Sequence, residues 1–150
     1  MTQIKLHKRS IARIAAVQSL YQMSILKESD DQVFENFQKH FEKDLLKEVA
    51  SKKYDRDFFC KVLQGTAKSL TDIDAMIEKS LPENWAFNRI DIVILSILRA
   101  GTFELWYCLD TDKAVIINEY VNVTHAFYDD KEPGFVNGIL HAISTHLRIS

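Results

Sequence analysis

Five histidines, His7, His40, His125, His141 and His146, are the residues best suited to carry protons or hold a metal, and their spacing gives them little to do together. His141 and His146 stand five apart, which on a helix turns them away from each other. The stretch "GTAKS", Gly65 to Ser69, looks like the tail of a phosphate-binding loop, but the leading glycine of that motif is missing and the segment has a helical rhythm. No Ser/His/Asp or Cys/His set stands out along the chain. Cys60 and Cys108 sit in apolar contexts without a CxxC pairing, and they read as buried thiols of a reducing cytoplasm. The expectation is therefore a protein that is not an enzyme, with no metal and no cofactor.

Charge is the stronger signal. The net charge of −2 argues against a nucleic-acid partner until its distribution is considered. Residues 1 to 27 contain Lys5, Lys8, Arg9, Arg13 and Lys27 and no acid, so all 21 acidic residues follow. Lys5, Arg9 and Arg13 recur every four residues and share a helical face, with the small Ala12 and Ala16 beside them to let a bulky partner approach. Such a cluster suits RNA phosphates, and exposed aromatics and amides would read splayed bases. A solvated, unoccupied end is the other reading of the same residues.

The elements that must position these groups are helices. Arg9 to about Leu26 is apolar nearly all round, which predicts an enclosed helix. Capping residues Ser29 to Asp31 open a second, with Val33, Phe34, Phe37, Phe41 and Leu45 on its apolar face. Asp55 starts a third, which carries Phe58, Val62, Leu70, Ile73 and Ile77 as far as Pro82 as one long helix bent near Gly65. "NRIDIVILSILRAGTFELWYCL" predicts a central helix whose Asp91, Arg99 and Glu104 must find partners. Thr111 or Asp112 caps the next, where Glu119 shares with Arg99 the need for a charged or polar partner. The terminal helix begins just after Pro133-Gly134, buries Val136, Ile139, Leu140 and Ile143, and turns Asn137, His141, Ser144 and Arg148 outward. Gly138 inside it should admit a neighbouring helix or a ligand, to offset its cost of about 1 kcal/mol against alanine.

The expected fold class is thus all-α, with six helices, or seven if the long third one divides. Four glycines and two prolines are too few for the turns of a sandwich or barrel, and 47 % hydrophobic residues over 150 positions suit one domain, 1–150. No signal peptide is expected, and "IVILSIL" is far short of a membrane span.

Five stretches, "RIAAVQSLYQ", "FFCKVLQG", "ILRAGTFEL", "VIINEYV" and "GFVNGIL", occur in the order and spacing of the NusB family of transcription antitermination factors, and the resemblance covers almost the whole chain. It implies two small helical bundles packed together, cytoplasmic localisation, and binding of boxA elements of nascent ribosomal RNA. The implied partners are NusE, a ribosomal small-subunit protein, and the RNA polymerase antitermination complex, with no membrane. The family's arginine-rich start falls on Lys8, Arg9 and Arg13, with Ser10 and Ile11 where many members are basic, which thins the patch. Phe127 and Phe135 match aromatics placed beside RNA, with Phe135 or Asn137 facing it, and Tyr21 matches a position near the NusE surface. Ile94 and Leu95 replace residues that are charged in many relatives. NusB-like domains also occur fused to RNA methyltransferases, but no strand-rich cofactor domain stands here, so that activity is not expected. The competing expectation is a helical protein-binding adaptor without RNA affinity.

Overall fold

A computed structural model describes residues 7–148. Eight α-helices and one short 3₁₀ turn are found among them, and no strand. The all-α expectation holds, with more divisions than the apolar spacing predicts. The chain splits into two compact units, Met1–Gln64 and Gly65–Ser150. Among the described residues no helix is long and apolar enough to cross a membrane.

In the first unit, α1 (Lys8–Leu26) is buried on nearly every side from Ser10 to Leu20. Its Ala12 and Ala16 are wholly buried, so they form core and not the open shoulder expected beside the arginines. The second helix, α2 (Asp30–His40), packs on α1 and begins with a reciprocal cap, the Ser29 hydroxyl accepting from the Gln32 amide while Gln32 Oε1 accepts from the Ser29 N–H (3.0 Å). At Phe41 the backbone leaves helical geometry, and α3 (Glu42–Glu48) follows. Phe59, from α4 (Arg56–Lys68), lies 5.0 Å from both Phe34 and Phe37 and closes the aromatic core of the unit. As expected, Asp55 caps α4, its Oδ1 accepting from the Phe58 amide at 2.9 Å. Glu42 fastens the loop before α4 by accepting from Arg56 (2.6 Å) and from the Tyr54 hydroxyl (3.1 Å).

The predicted long third helix is two. It breaks at Ser69, not Gly65, and continues as α5 (Leu70–Ser80). Gly65 stays helical for a reason of space, since a Cβ there would lie 2.1 Å from the Phe103 ring. The glycine admits an aromatic side chain and does not bend the helix.

In the second unit, α6 (Ile92–Tyr107) is the axis, buried continuously from Ile94 to Leu105, and α5, α7 (Lys113–His125) and α8 (Glu132–Leu147) each pack on it. Its polar residues are partnered as expected. Arg99 makes a two-pronged bond to Asp74 of α5, Nε to Oδ1 at 2.8 Å and Nη2 to Oδ2 at 2.9 Å. Glu104, fully buried, accepts a short hydrogen bond from the Tyr120 hydroxyl. Gly101 is the close-packed glycine of this unit, with Leu140 3.0 Å from where a Cβ would stand.

The terminal helix departs from expectation in three ways. It begins at Glu132, before Pro133, whose missing N–H costs nothing in the first turn. Gly138 is exposed, with nothing within 4 Å of where a Cβ would stand, so it admits no neighbour. Nor do Ser144 and Arg148 belong to a wet face. Ser144 is buried, and Arg148 donates to the carbonyls of Leu105 (3.0 Å), Cys108 (3.0 Å) and Thr111 (2.6 Å), where unpaired carbonyls at the end of α6 favour a cation. Of the two thiols, Cys108 is buried and Cys60 is partly exposed.

Candidate nucleic-acid interface

The basic start is assembled by α1 and the cap of α4. Asp55 N–H donates to Lys8 O (3.2 Å), which ties the first turn of α1 to the residue that caps α4. That turn holds Lys8 and Arg9 and no acid, and His7 before it supplies no side-chain cap. Cations at a helix start oppose the macrodipole and leave amide groups unpaired, an arrangement that favours an incoming anion. Phe58, 5 % exposed, lies beneath both arginines, with the Arg9 guanidinium carbon 4.4 Å and that of Arg13 5.0 Å from its ring centre. Arg9 also pairs with Asp55 at 3.5 Å while its side chain stays 54 % exposed.

The structure thus separates the predicted basic residues. Lys8 and Arg9 are exposed, whereas Arg13 is 4 % exposed and belongs to the support beneath them. Lys5 lies outside the described residues. Phe58, read from the sequence as core, is core on one side and a platform for guanidinium groups on the other. Its separation along the chain from α1 is what hid that role. Tyr21 is exposed on the same unit, and Ile25, one turn further along α1, leaves the helix with an apolar, open edge.

On the second unit, Phe135 in the first turns of α8 is half-buried against Trp85, ring centres 4.8 Å apart and tilted by 37°. These rings line a concavity of about 340 Å³ together with Arg89, Ile90, Asp91, Ile94, Lys131 and Glu132. Asp91 is already engaged, since Oδ1 accepts from the Val93 amide (2.8 Å) as the cap of α6 and from the Tyr128 hydroxyl (2.9 Å). Ile94 and Leu95 are buried, so that turn of α6 presents no charge. Asn137 and Phe127 are both exposed, Phe127 at the turn after α7. Trp85 escaped the sequence reading, although an aromatic in the polar stretch "PENWAFNR", between two helices, was the available signal.

Exposed cations on an aromatic support and an aromatic concavity on a helical frame define a helical binding protein. The pattern of the NusB family matches residues 10–145. The chain is 38 % identical over 149 residues to the transcription antitermination protein NusB of Caulobacter vibrioides, covering 99 % of each. Among solved structures, NusB from Aquifex aeolicus superposes with a TM-score of 0.75 at 26 % identity, covering 93 % of this chain and 89 % of that one. A chain in the complex of antitermination factors NusB and NusE with double-stranded RNA gives a TM-score of 0.72 at 26 % identity, covering 93 % and 97 %. The chain belongs to the NusB family.

Proposed function

We propose that this protein is a transcription antitermination factor that binds boxA-type nascent ribosomal RNA together with NusE and promotes processive transcription. One observation carries the RNA half of this reading: α1 begins with Lys8 and Arg9 and no acid, stabilised by an aromatic platform in a position that disfavours the helix unless an anion is present. Family membership supports the partner and the process. The chain works as a single module without catalytic chemistry, in the cytoplasm where the transcript emerges. Lys8 and Arg9 contact phosphates, Arg13 acts through Phe58, and Phe135, Phe127 and Asn137 offer base contacts from the second unit. Tyr21 belongs to the NusE surface, where a large rigid contact with a polar tip is effective.

The test is a titration of boxA-like RNA with and without NusE at several salt concentrations. Replacing Lys8 and Arg9 with alanine should weaken binding and reduce the salt slope by about 1.4, roughly 0.7 for each single-strand phosphate no longer neutralised. An unchanged slope removes these two residues from the interface. Absence of any salt-sensitive RNA complex, with NusE still bound, would replace this reading with that of a protein-binding adaptor.

A further inference from the structure

The concavity beside α8 is better equipped than a hydrophobic gap requires. Two aromatic rings form one side, with Trp85 46 % exposed. Arg89 and Lys131 are exposed at its edge and form no ion pair with any described residue. Glu132 lines it too, and its Oε1 is closed off from solvent without a hydrogen-bond partner among the described residues. A carboxylate oxygen withheld from water and left without a donor is costly, so an incoming N–H group is favoured there. The neighbouring carboxylate, Asp91, has its donors already.

We propose that this concavity is a nucleotide pocket selective for guanine, in which the base stacks on the Trp85–Phe135 pair, its N–H edge donates to Glu132, and Arg89 and Lys131 hold the phosphate. Its assignment to an RNA nucleotide rests on the RNA-binding reading above. Among the four bases guanine alone presents two adjacent donors, N1–H and the N2 amino group, to an acceptor-only carboxylate. Adenine and cytosine flank their amino group with a ring nitrogen that accepts, and uracil flanks its N–H with two carbonyls; each sets a lone pair against the carboxylate. The volume of about 340 Å³ falls at the small end of ligand pockets, as one base requires. The two rim cations favour a phosphate and repel the basic side chain of a protein partner, the other occupant an aromatic cleft with a carboxylate could take.

The experiment uses the full chain with Trp106→Phe, so that Trp85 alone reports by fluorescence, and has a mononucleotide arm and an RNA arm. In the first, GMP should quench at about tenfold lower concentration than IMP, which lacks the N2 amino group, and than AMP or UMP. Glu132→Gln should abolish the difference between GMP and IMP, with the melting temperature followed to show that the variant is folded. Arg89→Ala with Lys131→Ala should weaken all four nucleotides and preserve the ratio. In the second arm, a boxA-like RNA in which one guanosine at a time is replaced by inosine should lose a similar factor at a single position, in the wild type and not in Glu132→Gln. Equal binding of GMP and IMP, or no response of Trp85 to any nucleotide, overturns the pocket and leaves the cleft to a protein partner. Guanine selection by mononucleotides without any effect of inosine in bound RNA overturns the RNA assignment, making the ligand a free nucleotide. Guanine selection in a protein that binds no RNA overturns the proposed function and upholds the pocket.

Discussion

The guanidinium carbon of Arg9 stands 4.4 Å above the ring of Phe58, a side chain otherwise buried in the first unit. A core residue therefore sets the position of an exposed cation, and Arg13, at 5.0 Å from the same ring, shares the support. Phe58→Leu keeps an apolar side chain and removes the ring's negative face. RNA affinity should fall by about 0.5–1 kcal/mol, the range for an exposed cation–π pair, while the salt slope stays as in the wild type because every phosphate keeps its cation. Filter binding across a salt series measures both quantities, and undiminished affinity in a folded variant would show that the platform has no part in recognition.

Arg99 and Asp74 join α6 to α5 through two parallel bonds, their side chains 10 % and 24 % exposed. Asp74→Ala leaves a nearly buried guanidinium with its main carboxylate removed, and should cost about 3 kcal/mol in urea unfolding. Adding Arg99→Met should recover part of that loss, because the stranded charge goes with it. A double variant less stable than Asp74→Ala would contradict this account.

The glycines divide in the opposite way from their spacing. Gly65→Ala drives a methyl into the Phe103 ring, itself buried, and should cost about 1–3 kcal/mol by overpacking. Gly138→Ala enters open space within α8 and should stabilise the protein by up to about 1 kcal/mol. Thermal melts of the two variants should move in opposite directions; a large drop from Gly138→Ala would reveal a neighbour on that face.

Burial pushes the Tyr54 phenol up to about 12, with the Glu42 carboxylate adding to the rise and Arg56 opposing it. The folded state thus favours the neutral phenol. Its contribution is complete below the ordinary tyrosine value near 10 and is lost as pH rises from there through about 12. Tyr54→Phe should flatten the fall in melting temperature over that interval, and an identical pH profile in wild type and variant would remove Tyr54 as its source.

Most of the helical frame is legible in the sequence because it depends on local repetition. Apolar spacing along Ile11–Leu20, Ile92–Leu105 and Val136–Ile143, together with caps at Ser29 and Asp55, requires only neighbours in sequence, and the same holds for the concentration of positive charge before Lys27. The breaks at Phe41 and Ser69 are hidden, since an apolar stripe continues across a helix break when both segments face one core. Glycine roles are misread because a sequence records a missing Cβ and not what fills its place: Phe103, far along the chain from Gly65, decides one case, and open solvent decides Gly138. Arg148 has the spacing of a surface residue, yet α8 brings it to the carbonyl end of α6. Which cations are exposed, which ring supports them, and the meeting of Trp85, Phe135 and Glu132 at one concavity depend on contacts between distant segments. Sequence by itself determined the helical class, the family and the charged end, because these follow from periodicity and order along the chain; tertiary structure alone decided which side chains share a surface, because distance in space is set by packing between helices.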